Sequence, residues 1–299
     1  GRFVRKQSAF RAKLESPAAG DVEFPAVPGR YHLYVSYACP WAHRTLVLRV
    51  LKGLEDAVSI SVVDPFMGEN GWELRDEGGP KYLYEVYRAA QPDYTGRVTV
   101  PVLWDRERET IVNNESAEIL RFLNSAFVGA AGNELDFYPE AHRTEIDELN
   151  DWIYPTVNNG VYRCGFATKQ EAYEEAFDEL FAALDRLDER LATRRYLVGE
   201  RLTEADWRLF TTLVRFDAVY HGHFKCNRTR IADFPALSGY LRELYQWPGV
   251  AETVRFDHIK QHYYRSHPTI NPTRIVPKGP ALDLDAPHGR ERLPGVGAK

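Results

Sequence analysis

The stretch from Tyr31 to Val50, YHLYVSYACPWAHRTLVLRV, constrains the fold more than any other, because it has room for one strand, one tight turn and one helix, in that order. His32 to Ser36 alternates with the period of two that a strand imposes, and Pro40 stands where a helix tolerates proline best, at its first position. Cys39 is then the residue that caps the helix. A sulfur there faces unpaired backbone N–H groups and the positive end of the helix dipole, and both favour the nucleophilic thiolate. A lone cysteine beside an apolar helix is more often a small core hydrophobe. The Cys-Pro pair directly after a strand turns the reading toward chemistry. Three residues after Cys39 stands Ala42, so the motif holds no Cys-x-x-Cys, and any disulfide made by Cys39 takes its partner from outside it.

With 299 residues the chain suffices for one large or two ordinary domains. Its 44% hydrophobic and 27% charged residues are those of a soluble globular protein. A formal charge of -5 argues against nucleic acid as a partner, since general nucleic-acid binders carry a basic surplus. No run approaches the ~20 apolar residues of a membrane span, and no signal-peptide core is visible, so no membrane partner is expected. Three cysteines are too few for a disulfide framework and point to the reducing cytoplasm. Cys164 and Cys226 have no partner by spacing and read as reduced bystanders.

Residues 1–30 begin basic and continue rich in Pro, Gly and Ala, without a sustained apolar period, and read as an N-terminal extension that either packs on the surface or, the more ordinary case for such a segment, forms a partly ordered arm. After the first helix, which Gly53 should end, residues 58–63 form a β-branched run closed by Asp64-Pro65. Two strands joined by a helix are normally parallel with a right-handed crossover. Residues 66–97 are long for a connection and predict an insertion with its own short helix, carrying Trp72, Tyr82, Tyr84 and Tyr87. Residues 98–104 and 110–113 then predict a hairpin around a charged turn. Pro101 falls inside its first strand, which requires an edge, a bulge or a cis bond; a cis bond leaves the Val100 backbone free to pair with a ligand. A helix over residues 117–122 closes this half, with Ile119, Leu120 and Phe122 toward the sheet.

From about residue 140 the pattern is helical, with apolar residues three and four apart over residues 145–152, 170–190, 203–219 and 236–246. Thr203 and Asp206 form a capping-box-like pair and Leu202 with Trp207 a staple, which assigns them to folding. Residues 271–299 are rich in Pro and Gly and predict a tail extended over a surface. The fold class is therefore an α/β half over residues 31–127 followed by an all-α half over residues 140–270.

That element order, with a cysteine at the first helix and a proline before the third strand, resembles the thioredoxin-like domain of glutathione transferases, with their helical domain behind it. Several motifs narrow the resemblance: Ala38-Cys39-Pro40-Trp41-Ala42-His43-Arg44, Gly71-Trp72, the run from Arg97 to Asp105, Asn114-Glu115-Ser116-Ala117-Glu118-Ile119 and Asn158-Asn159-Gly160-Val161-Tyr162. Together with the N-terminal Gly-Arg-Phe-Val-Arg they resemble the glutathionyl-hydroquinone reductases, the Xi class of glutathione transferases, over the chain up to about residue 272. The resemblance implies removal of glutathione from a glutathionyl-hydroquinone, a second glutathione serving as co-substrate and glutathione disulfide leaving. It implies Cys39 as the nucleophile, with Trp72, Arg97, Val98, Thr99, Val100, Glu115 and Ser116 binding glutathione. Tyr162 is implied to meet the substrate hydroxyl, with Tyr220 and Tyr263 as further phenols near the sulfur. It also implies a homodimer.

Two other classes share these features. An omega-like thioltransferase or dehydroascorbate reductase would keep Cys39 without the hydroquinone preference, and a non-catalytic protein of this fold would store aromatic ligands. The histidines His221, His223, His258, His262 and His267 do not find a completing carboxylate or cysteine by spacing, apart from Cys226, so no metal is expected.

Overall fold

The computed structural model describes residues 1–3 and 7–295; residues 4–6 of the extension and 296–299 of the tail lie outside the described residues. The chain clusters into two units, one built from Lys6–Asp136 with Glu252–His262, the other from Gly1–Arg5, Phe137–Ala251 and Tyr263–Lys299.

The first unit runs β1 (Tyr31–Val35), α1 (Pro40–Leu51), β2 (Val58–Val62), α2 (Leu83–Ala90), β3 (Val102–Asp105), β4 (Thr110–Asn113) and α3 (Ser116–Ser125). Its sheet has the order β2-β1-β3-β4. β1 pairs with β2 in parallel, Tyr31 opposite Val58, while β1–β3 and β3–β4 are antiparallel. The charged turn of the β3–β4 hairpin is fixed by Asp105, whose fully buried carboxylate accepts the Glu107 N–H (2.9 Å) and the Arg30 Nε–H (2.9 Å). The short helix expected in residues 66–97 is α2. The strand expected over residues 98–104 starts only at Val102, because Pro101 has no N–H to give to the ladder; the Val100–Pro101 bond is cis. The last helix starts at Ser116 rather than Ala117, since Glu115 is its cap and accepts the Ala117 N–H (3.3 Å).

Over residues 7–30 the N-terminal extension packs on this unit rather than forming a partly ordered arm. Ala12 N–H donates to the Val112 carbonyl (3.0 Å), Asn114 N–H donates to the Phe10 carbonyl (3.1 Å), and Leu14, Phe24 and Ala26 are buried. The β4 edge, which would otherwise display unpaired backbone groups, is covered in this way.

The second unit holds α4 (Arg143–Ile153), α5 (Gly160–Gly165), α6 (Gln170–Thr193), α7 (Glu204–Arg215) and α8 (Leu237–Tyr245), and α9 (Phe256–Ser266) ends in it. Every residue of α7 is buried. Its capping box is present: Asp206 accepts from the Thr203 N–H (2.8 Å) and hydroxyl (3.1 Å), and further from the Leu197 N–H (2.9 Å) and the Tyr240 hydroxyl (2.8 Å). The helix expected over residues 203–219 stops at Arg215 and passes into a π-helical turn, Phe216–Tyr220, and a second such turn, Tyr154–Asn158, precedes α5. Helix α5 was not expected, because six residues between glycines are too few to show an apolar period. The tail carries no regular element over residues 271–295, yet Arg290 and Leu284 are buried in it, so the expected surface path holds only between such anchors.

Candidate active site

Cys39 is the cap of α1, with extended backbone (φ -78°, ψ 120°), and its carbonyl accepts the first helical bond from the His43 N–H (2.9 Å). The turn before it is closed by the Cys39 N–H on the Ser36 carbonyl (3.2 Å), and the Ser36 hydroxyl accepts the Ala38 N–H (3.2 Å). Cys39 is partly exposed. Its side chain makes no hydrogen bond with the helix N–H groups; the sulfur lies 3.7 Å from the Val100 carbonyl oxygen, toward which the thiol donates. The helix end thus acts on the sulfur through its field alone.

Val100 and its neighbours lie at the open end of the β3–β4 hairpin, beside the start of α3. Thr99 is held through its backbone, the carbonyl accepting from the Tyr87 hydroxyl (2.8 Å) and the N–H donating to it (3.2 Å). Across the hairpin, Glu115 accepts from the Ser8 hydroxyl (3.0 Å), and the Ser116 hydroxyl is buried with no partner among the described residues. Buried hydroxyls are normally paired, so this one is available to a ligand. Cys39, Thr99, Val100, Glu115 and Ser116 are therefore gathered at one end of one sheet. Val98 is half-buried, while Arg97 is exposed and contributes its carbonyl to the Tyr94 hydroxyl (2.8 Å). Trp72 is buried, its carbonyl accepts the first N–H of α2 from Leu83 (3.0 Å), and its indole stacks on His262 at 4.9 Å. His262 is further tied through Nδ1 to the Pro65 carbonyl (2.9 Å). Sequence reasoning missed Ser8 and the role of Tyr87, because neither spacing nor periodicity relates positions 107 and 27 residues from their partners in the α3 start.

Tyr162, Tyr220 and Tyr263 form a cluster in the second unit. The Tyr263 hydroxyl bonds that of Tyr162 and lies 3.0 Å from that of Tyr220. Burial, and then the neighbouring phenols, push the Tyr263 hydroxyl well above its usual range, so it stays protonated at neutral pH. Aromatic rings frame the three phenols. Phe3 and Phe166 stack at 5.4 Å, and Phe224 meets Tyr162 edge-on at 5.3 Å. A Cβ on Gly165 would stand 2.2 Å from the Phe224 ring, so glycine is what lets that ring pack against α5. Phe166 and Phe224 had no signal in the sequence beyond their being aromatic, and Phe3 entered only as part of the N-terminal motif, with no role attached to it. The two π turns end at Asn158 and Tyr220, shortly before and at these phenols, a common place for such turns to occur.

The histidines are used in packing. Burial pushes His32 down to about 4, His223 to about 3 and His267 to about 4, in the first case with help from Arg106, whose guanidinium donates to Nδ1 (3.1 Å). His223 and His267 bond each other at 3.1 Å beside the phenol cluster. Among the described residues no group of three or more His, Cys, Asp or Glu could hold a metal ion. A pH dependence follows. The unfolded chain takes up protons at these histidines near pH 6.5 and the folded chain only near 4 or below, so stability falls as pH drops through that window. Each unit of separation is worth about 1.4 kcal/mol per histidine. Urea midpoints measured at pH 7.0 and 5.0 are expected to fall; equal midpoints would show that these rings are hydrated.

The comparisons with known proteins agree with both units. The glutathione S-transferase N-terminal domain family matches residues 38–126 and the C-terminal domain family residues 170–243. The class is thus glutathione transferase. Glutathionyl-hydroquinone reductase YqjG of Escherichia coli is 57% identical over 97% of this chain and 93% of its own, and reductase PcpF of Sphingobium chlorophenolicum 56% identical over 95% and 91%. The glutathione-bound structure of YqjG has a TM-score of 0.92 at 56% identity, covering 95% of this chain and 96% of that one. A Xi-class transferase from Natrialba magadii reaches 0.94 at 55% identity, over 99% and 95%. The chain belongs to the glutathionyl-hydroquinone reductases, the Xi class of glutathione transferases. Among the described residues no helix is long and apolar enough to cross a membrane.

Proposed function

We propose that this chain reduces glutathionyl-hydroquinones to hydroquinones at the expense of glutathione. The observation that carries the reading is the partly exposed Cys39 at the start of α1, its sulfur 3.7 Å from the Val100 carbonyl, in a chain of this family. In the first step the Cys39 thiolate attacks the thioether sulfur of the substrate. A sulfur–sulfur bond to Cys39 forms and the bond from sulfur to the ring carbon breaks. That carbon keeps the electron pair and takes a proton, a role we assign to Tyr162. In the second step a glutathione thiolate attacks the glutathionyl sulfur of the mixed disulfide, Cys39 leaves as thiolate, and glutathione disulfide is formed. One thioether and one thiol become one C–H bond and one disulfide, and two displacements at one sulfur predict ping-pong kinetics.

The remaining roles follow from chemistry. The Val100 backbone pairs with the cysteinyl portion of glutathione as an added strand does. The Ser116 hydroxyl and backbone N–H, at the positive end of α3, take the γ-glutamyl carboxylate, and Glu115 pairs with its ammonium. The Glu115 carboxylate has acceptor sites left after Ser8 and Ala117 are served. Trp72, Arg97, Val98 and Thr99 complete the glutathione contacts. Tyr263, held protonated and bonded to Tyr162, supplies the proton that Tyr162 gives up, with Tyr220 behind it. An activity that consumes glutathione, and three cysteines all present as free thiols, suit the cytoplasm, and family membership suits a homodimer.

The test is mass analysis of the protein after incubation with a glutathionylated hydroquinone and no free glutathione. One glutathionyl group is expected on the Cys39 peptide, removable by added glutathione. Hydroquinone release with no such adduct, or an adduct on Cys164 or Cys226 alone, would overturn the scheme.

A further inference from the structure

Tyr87 is left without a part in the chemistry above, yet its hydroxyl bonds two segments of the glutathione unit at once. It is fully buried on α2. A phenol offers one O–H and two lone pairs. Here the O–H goes to the Thr99 carbonyl (2.8 Å), and the lone pairs take the Thr99 N–H (3.2 Å) and the Asn114 side-chain N–H (3.0 Å). The capacity of the group is filled.

What these partners have in common is their location. In the β3–β4 ladder the pairing ends at Leu103 opposite Asn113, so residues 99–100 and 114–116 lie beyond the last sheet bond. Nothing in the ladder sets the gap between them. Tyr87 spans it: one oxygen binds Thr99 on one side and Asn114, adjacent to Glu115, on the other. Asn114 is itself fixed from the extension, its side-chain carbonyl accepting the Phe10 N–H (3.1 Å). The Tyr87 ring is braced edge-on by Phe10 at 5.8 Å and in a tilted contact by Tyr94 at 5.0 Å, so the oxygen has little freedom to follow either segment.

We propose that Tyr87 is a positioning residue for glutathione: its hydroxyl sets the distance between the backbone that takes the cysteinyl portion and the helix start that takes the γ-glutamyl end. The inference rests on the assignment of those two segments made above. A tripeptide held at its γ-glutamyl end and at its central cysteinyl residue is sensitive to that distance, since displacement of either segment breaks contacts at the other.

The experiment is Tyr87→Phe in the full chain, which removes one oxygen and keeps the ring. Binding is measured with S-methylglutathione, which cannot form a disulfide, by titration calorimetry, and turnover is measured beside it. Kd is expected to rise about tenfold, with KM for glutathione rising alike and kcat within about twofold. Asn114→Ala cuts one side of the tie and is expected to raise Kd by less, the two changes together costing no more than Tyr87→Phe alone. A lower melting temperature with unchanged Kd would make Tyr87 a structural residue only and overturn the proposal, as would full additivity of the two variants. Should Tyr87→Phe not fold, an unchanged Kd in Asn114→Ala is the overturning result. Failure of the wild-type chain to bind S-methylglutathione is a different outcome, which sinks the glutathione assignment itself.

Discussion

Cys39→Ala is expected to lower hydroquinone formation on the order of 10⁴-fold or more, the size of loss seen when the nucleophile of a covalent mechanism is removed. The physical reason is that both displacements use the same sulfur, so no partial reaction survives it. The fold should be retained, since Cys39 is partly exposed and its sulfur makes one weak contact, to the Val100 carbonyl. Cys39→Ser separates chemistry from geometry further. Its hydroxyl fills nearly the same space but does not carry a glutathionyl group, so reduction is lost while S-methylglutathione binding and ordinary conjugation persist. The measurement is the initial rate of hydroquinone release, with binding as the control for folding. Turnover by the alanine variant at the wild-type rate would remove Cys39 from the mechanism. The same assay, run on wild type with glutathionylated hydroquinones beside non-aromatic mixed disulfides, separates this activity from that of an omega-like thioltransferase. Equal rates on both would assign the chain to that class, and no rate on either would leave a binding protein.

How far the sequence led can be judged at particular residues. Cys39 and Pro40 were legible because a strand and a helix have different periods and proline marks the boundary between them. The sheet order followed from the crossover and hairpin rules once β1, β2, β3 and β4 were placed. Pro101 was read as an anomaly inside a strand, and the strand starts one residue after it. What was not legible depends on contacts between distant positions. Ser8 reaches Glu115 over 107 residues, and Tyr87 reaches Asn114 over 27. Such pairs leave no local period, and a tyrosine or serine alone is compatible with many roles. The π turn at Phe216–Tyr220 was hidden for a different reason: its apolar spacing continues that of α7, and one added residue per turn does not disturb a pattern of threes and fours. The phenols at its end were reached through the family resemblance and not through periodicity.

The C-terminal tail carries the largest stability effect expected of a single side chain outside the site. Arg290 is 5% exposed, and its guanidinium donates to Glu243 (3.1 Å) and to the carbonyls of Leu191 (3.1 Å), Arg194 (2.8 Å) and Arg195 (2.7 Å). Three of these acceptors are carbonyls around the C-terminus of α6, groups that a helix leaves without partners of its own. Burial lowers the Arg290 guanidinium from its ordinary value, with Glu243 opposing, and it remains a cation at any pH the protein meets. Removing one partner of a buried pair typically costs about 3–5 kcal/mol. Glu243 keeps Arg195 (2.6 Å) and the Tyr196 hydroxyl (3.0 Å), which places Arg290→Ala at the lower end, about 3 kcal/mol. The melting temperature of the second unit is then expected to fall by roughly 6–12 °C. Arg290→Lys should recover little, because an ammonium on a flexible stem cannot serve four acceptors spread across a planar fork. Gly239 tests the same docking from the other side. Glycine weakens α8 by about 1 kcal/mol relative to alanine, yet a Cβ there would stand 2.7 Å from the His288 carbonyl. Gly239→Ala should therefore destabilise despite its gain in helix propensity. Melting curves of both variants unchanged from wild type would show that the tail contributes nothing to this fold.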